Sequence, residues 1–152
     1  MKKILAAIDF SNATSGVLKM AGEMAKAFGA ELHLLHVIEP EPTYTAYGFT
    51  PEEFPAIQTF HGETRVRAQK TLDDAIKLVS GPGLKPIGHL GDGGALHVLS
   101  DKAEELKADL VVLGSHGHGI VAALLLGSVA EGMVRKSKVP TLVVPAGDPK
   151  QG

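Results

Sequence analysis

Residues 110–129 read Leu110-Val111-Val112-Leu113-Gly114-Ser115-His116-Gly117-His118-Gly119, then the apolar run Ile120 to Leu126, then Gly127-Ser128-Val129. The apolar run Leu110 to Leu113 stops abruptly at Gly114, as a buried parallel strand does before its connecting loop. Glycines 114, 117 and 119 let the backbone turn tightly and let a ligand approach its N–H groups with no Cβ in the way. Ser128 stands where a helix starts, so its hydroxyl and the free N–H groups of the first turn face outward together. Helix N-terminal amides with their partial positive dipole, met by a glycine-lined loop, make an anion or phosphate site. The alternative is that these glycines only turn the chain and Ser128 only caps its helix.

Outward from this stretch, strand and helix patterns alternate. Ile4 to Ile8 reads as a short buried strand ending at Asp9. Ser11 or Asn12 is placed to cap a helix with an apolar face of Val17, Ala21, Met24, Ala25 and Phe28, ended by Gly29 in the left-handed conformation. Leu32 to Ile38 is the second strand, completing a right-handed βαβ unit. From Glu39 to Pro55 the pattern disappears. Pro40, Pro42, Pro51 and Pro55 forbid a regular element, while Tyr44, Tyr47, Phe49 and Phe54 mark a packed cover or a contact surface. A charged helix over 56–79 follows, with Ile57, Val66, Leu72, Ile76 and Val79 on its buried side. A third strand, Leu84 to Leu90, leads into a Gly91-Asp92-Gly93-Gly94 turn. A helix over 95–106 buries Leu96, Leu99, Ala103 and Leu106. The fourth strand is Asp109 to Leu113, the last helix Ser128 to Lys136, and the fifth strand Val139 to Pro145. Alternation without hairpin signals predicts a single-domain α/β fold: an open, five-stranded parallel sheet with helices on both faces.

Composition narrows the function. With 152 residues the chain makes one domain able to bury most of its apolar surface. The formal charge is −2 and the pI near 6.4, with Lys and Arg scattered. No basic stripe argues for nucleic acid or for an anionic membrane surface. The lack of cysteine excludes disulfides, thiolate metal sites and thiol nucleophiles. Met1-Lys2-Lys3 precedes an apolar run broken at once by Asp9, which reads as a first strand and not a signal peptide. No segment approaches the roughly 18 apolar residues of a transmembrane helix. These features lead to the expectation of a soluble cytoplasmic protein.

Two familiar phosphate motifs do not fit. A Walker-type loop needs Gly-Lys-Ser/Thr, and no lysine precedes Ser128. The dinucleotide fingerprint follows the first strand of a unit and wants an acid about 20 residues on. What fits is Gly114-x2-Gly117-x9-Gly127-Ser128. In this motif, placed after the fourth strand, the chain resembles the universal stress protein family in its ATP-binding branch. The resemblance covers residues 1–147 as one domain, with 148–152 expected to fray.

The resemblance implies a Rossmann-like strand order 3-2-1-4-5, which sets strands one and four side by side. Ligands in such sheets bind beyond the carboxyl ends of the strands, where the winding reverses, and those ends are Asp9 and Gly114. It further implies that Asp9 contacts the nucleoside and that Val37 offers its backbone to the adenine edge. An Asp at a strand end serves equally well to cap the helix near Asn12, and the resemblance favours the nucleoside. Phe10-Ser11 stands where the family often has Gly-Ser, which leaves the pocket floor open. Gly114 and Gly117 are expected around the ribose and first phosphates. The amides of Gly127, Ser128 and Val129, with the Ser128 hydroxyl, are expected at the distal phosphates. His116 is placed to meet a phosphate that would favour its protonated ring, and His118 is read as a solvent-exposed loop histidine.

The implied ligand is ATP, or ADP or AMP. ATP carries about four negative charges, more than half a unit of dipole charge balances. Arg135 and Lys136 lie about 12 Å along the helix from Ser128. Mg²⁺ or Mn²⁺ held by phosphate oxygens and water is therefore expected with it. A protein-held metal is not expected, because His33 and His36, three apart on a strand, face opposite sides. No catalytic constellation stands out, and Asp73-Asp74 reads as a solvated helix face. The implied function is a nucleotide-dependent stress-response module, at most a slow ATPase. The alternatives are an adenylating or ATP-cleaving enzyme of related fold, with the Gly91-Asp92-Gly93-Gly94 turn assisting, or a stress protein that uses only its partner surface. A phosphorylation receiver is excluded, since Gly91 and Pro145-Ala146-Gly147 stand where it needs an acceptor Asp and a Lys. A homodimer is also implied. Its physical motive is the apolar edge strand Thr141 to Val144, whose open N–H and C=O groups a symmetry mate would cover.

Overall fold

A computed structural model describes residues 1–9, 14–38, 55–115 and 126–145, with side chains in the 55–115 stretch from residue 64 onward. Expectations for Phe10 to Asn12, the aromatic segment 39–54, the Ile57 side chain, His116 to Gly119 and the 148–152 tail lie outside these residues.

The elements in chain order are β1 (Lys3–Ile8), α1 (Thr14–Phe28), β2 (Glu31–Ile38), α2 (Pro55–Val79), β3 (Ile87–Asp92), α3 (Ala95–Leu106), β4 (Leu110–Gly114), α4 (Ser128–Lys136) and β5 (Thr141–Val144). The five strands form one sheet in the order β3-β2-β1-β4-β5, all parallel, as expected. Side chains alternate across the pleat. Ile4, Ala6, Ile8, Leu32, Leu34 and Val112 face α1 and α2, and Leu5, Leu35, Val111 and Leu113 face α3 and α4. The strands are apolar on both sides because both faces are covered.

Several boundaries differ from the sequence reading. Gly91 and Asp92 belong to β3, not to a turn, and Leu84 belongs to a tight antiparallel bridge with Gly81. Proline does not keep residue 55 out of regular structure: α2 starts on it, where the missing N–H has no intrahelical partner to lose. Val66 and Phe28, expected in the core, are 70% and 54% exposed. β4 runs one residue later than expected, and β5 is only the four residues between Pro140 and Pro145.

Among the described residues two histidines, His33 and His36, are buried, and they face opposite sides as expected. His33 meets Glu31 Oε1 through Nε2 at 2.6 Å and His89 Nε2 through Nδ1 at 2.8 Å. His36 meets the Ile8 carbonyl through Nδ1 at 3.0 Å. The first strand is latched at its other end, where the Asp109 carboxylate accepts the N–H groups of Lys2 at 2.8 Å and Lys3 at 3.0 Å.

Candidate functional site

The register brings every carboxyl end to one edge of the sheet. Ile8 lies beside His36, Ile38 beside Asp92, and Gly114 beside Val144. β1 and β4 are neighbours whose outgoing connections leave toward opposite faces, to α1 and α4. The winding reverses between them, and a crevice at that point is where a parallel sheet binds ligands.

Asp9 is the first residue past β1, half-buried at this edge. Thr14, which opens α1, points its hydroxyl back to the Asp9 carbonyl and lies 3.3 Å from the Asp9 Oδ1. Thr14 thus ties Asp9 to the start of α1. Thr14 was not singled out from the sequence.

Val37 sits one residue beyond the last β1–β2 pair, Ile8 with His36. Ile38 sends its carbonyl to the Gly93 N–H at 3.1 Å, on the β3 side. Peptide groups alternate sides along a strand, so those of Val37 point toward β1, beyond that strand's last paired residue. The backbone of Val37 therefore borders the crevice beside Asp9.

The other half of the site is built on Ser115. Its N–H donates to the Val144 carbonyl at 2.8 Å, and its carbonyl accepts the Gly127 N–H at 2.7 Å. The second bond places the start of α4 directly at the end of β4. It also corrects an expectation: the Gly127 amide, expected at the distal phosphates, is engaged within the protein. Gly127, not Ser128, is the N-cap, with φ −64° and ψ 154°. That conformation suits any residue, so backbone geometry does not demand glycine there. The first intrahelical bond runs from the Glu131 N–H to the Gly127 carbonyl at 2.8 Å. The amides of Ser128, Val129 and Ala130 precede it and have no intrahelical acceptor. Ser128 is exposed at the first helical position. His116 and Gly117 lie outside the described residues.

Positive charge is sparse here. Arg135 is engaged by Glu131 at 3.0 Å, and Glu131 itself stands in the first turn of α4. Arg65 of α2 pairs with Asp92 at 2.5 Å, at the end of β3. An anion at α4 therefore meets the helix dipole against one nearby carboxylate. Among the described residues, no three His, Cys, Asp or Glu gather as a metal site, and no helix is long and apolar enough to cross a membrane.

Residues 1–145 match the model of the universal stress protein family. The chain belongs to that family. Universal stress protein A homolog 1 of Coxiella burnetii is 35% identical over 146 residues, with 94% of this chain and 95% of that protein covered. A solved universal stress protein from Burkholderia pseudomallei is 28% identical, covers 95% of this chain and 96% of its own, and superposes with a TM-score of 0.72. The universal stress protein from Archaeoglobus fulgidus in complex with dAMP shares the fold at 21% identity and a TM-score of 0.67, with 95% and 98% of the two chains covered.

Proposed function

We propose that this universal stress protein binds an adenine nucleotide, ATP foremost, in the crevice between the ends of β1 and β4. It then acts as a regulatory module in stress response and not as a dedicated enzyme. The observation that carries this reading is the first turn of α4, held at the end of β4 by the Ser115–Gly127 bond with its amides unpaired within the helix. Asp9 and the backbone of Val37 hold the nucleoside. Gly114, with His116 and Gly117, surrounds the ribose and first phosphates. The N–H groups of Ser128 and Val129 and the Ser128 hydroxyl take the distal phosphates, and Gly127 leaves the room for them. A fold relative solved with dAMP supports an adenine nucleotide as the first ligand to test.

The charge balance requires a cation. Four phosphate charges face roughly half a unit of dipole charge and the Glu131 carboxylate, with Arg135 already paired. Mg²⁺ or Mn²⁺ supplies the balance through phosphate oxygens and water. No described residue is placed as a base for water, so hydrolysis is at most slow. The protein works in the cytoplasm as a homodimer, in which the edge strand β5 of each copy covers the other's open N–H and C=O groups.

The test is purification without added nucleotide, denaturation, and chromatography of what is released. ATP and AMP titrations with Mg²⁺ and with excess chelator follow, on wild type and Gly127→Val. Valine fits the backbone conformation at 127, and thermal melting of the variant separates loss of ligand space from loss of packing. The expected result is magnesium-dependent ATP binding weakened at least about tenfold by the substitution, with AMP indifferent to chelator. No released nucleotide and no affinity would refute the reading and move the search to the dimer surface. Equal ATP affinity in chelator would refute the cation requirement.

A further inference from the structure

Buried imidazoles are expensive beside an apolar side chain of similar size, because their ring nitrogens leave water. His36 is 8% exposed and stands on the apolar face of β2 that packs toward α1 and α2. Its Nδ1 lies 3.0 Å from the Ile8 carbonyl. A carbonyl only accepts, so Nδ1 carries the proton of this bond. The bond runs between neighbouring strands at their last register pair, one residue before Asp9 on β1 and one before Val37 on β2. One side chain thus bridges the two strand ends that border the nucleoside half of the crevice.

We propose that His36 is a positioning residue: by holding the Ile8–Asp9 peptide in plane it sets the direction in which the Asp9 carboxylate leaves β1. The ladder between β1 and β2 ends at this pair, where strands open most readily, so the His36 bond adds a second hold on the Ile8 carbonyl at the point where pairing stops. Thr14 holds Asp9 from the α1 side, through the Asp9 carbonyl and, at 3.3 Å, its Oδ1. Between the two anchors the acid is fixed before any ligand arrives, and preorganisation of this kind is what turns a carboxylate into a selective contact. The functional half of this inference rests on the nucleotide reading above. The effect on Asp9 does not.

The test uses two nearly isosteric substitutions. His36→Asn keeps a donor at the position of Nδ1, and His36→Leu fills the same space without one. Three readouts are taken: adenosine and ATP affinities, inorganic tripolyphosphate affinity, and the carbon-13 chemical shift of the Asp9 carboxylate. The expected result is that His36→Leu weakens adenosine and ATP by about tenfold alike, the scale of one lost hydrogen bond. Tripolyphosphate is unchanged, the Asp9 signal moves, and His36→Asn restores all of these toward wild type. Equal behaviour of the two variants would overturn the proposal. So would a loss of thermal stability in His36→Leu with affinity and Asp9 signal unchanged, which is a structural role only. If wild type binds neither adenosine nor ATP while the Asp9 signal still follows the donor, the nucleotide reading fails and the positioning of Asp9 stands.

Discussion

Gly132 lies one turn into α4, above the first-turn amides, where α4 crosses α3. A Cβ there would sit 2.4 Å from Leu96 Cδ2, 2.9 Å from Cδ1 and 3.2 Å from Cγ. Ordinary carbon contacts begin near 3.5 Å, so Gly132→Ala must move Leu96 or α4 by about 1 Å. Two effects oppose. Alanine improves the helix interior by up to about 1 kcal/mol, while overpacking costs about 1–3 kcal/mol. Leu96 is half-buried and the atoms struck are its flexible end, so the net loss is about 1 kcal/mol, which for a chain of this length is about 3 °C in Tm. Leu96→Ala alone costs about 1–2 kcal/mol, below the range for fully buried leucines. In the double variant the clash is gone and the helix gain remains. The combined loss should therefore fall short of the sum by at least about 1 kcal/mol. The assay is thermal melting of all four proteins, with ATP titration alongside. Displacement of α4 should weaken ATP in Gly132→Ala and largely spare the double variant. Additive melting losses would refute the idea that Gly132 exists for the approach of Leu96.

Burial foremost, then the Lys102 ammonium and His33, hold His89 below its ordinary 6.5, against a smaller opposing pull from Glu105. The unfolded chain then takes up this proton more readily than the native one, so stability falls as pH drops below 6.5 toward the lowered native value. His89→Gln should flatten that slope, read as urea midpoints between pH 7 and 5, and an unchanged slope would refute the assignment. The Lys2 and Lys3 N–H groups hold the Asp109 carboxyl below 3.8. For an acid lowered in this way the stabilisation is present above 3.8 and lost as pH falls through the lowered value. Asp109→Ala should speed hydrogen exchange at Lys2 and Lys3 at neutral pH, with the difference from wild type vanishing in acid. Equal exchange rates at neutral pH would show that the latch holds nothing.

Much of the fold was legible because it rests on local pattern: apolar runs, helical stripes and the glycine that ends α1. The Gly29 reading is borne out by φ 62°, with the Ala30 N–H on the Ala25 carbonyl at 2.8 Å. The same motif explains the misplacement of Phe28. Ala30 and Ala25 close the helix end against the core, and Phe28 in the last turn is left outside. Val66 failed for a phase reason: the buried ridge of α2 is Ala68, Leu72 and Ala75, and six residues before Leu72 lies roughly 120° around the helix. β3 was ended too early because Gly91 read as the start of a turn, whereas both Gly88 and Gly91 lie within the strand. Their missing side chains instead admit Ile76 and Val98, which would lie 2.6 Å from a Cβ at each position. The amide-presenting end of the candidate site was visible as a helix start behind a glycine stretch. The anchors Thr14 and His36 were not, since His36 meets Ile8 across 28 residues of chain and no spacing rule connects them. The engagement of the Gly127 amide by Ser115 was invisible for the same reason.

That last bond also governs how the protein can vary. The chain leaves the frame at Ser115 and re-enters at Gly127 through one 2.7 Å contact, while Ser115 stays tied to Val144 at the end of β5. Both bonds join backbone groups alone, so any residue but proline at 115 or at 127 keeps donor and acceptor, and the turn that presents the α4 amides stays in register with the sheet whichever other side chains are written onto it.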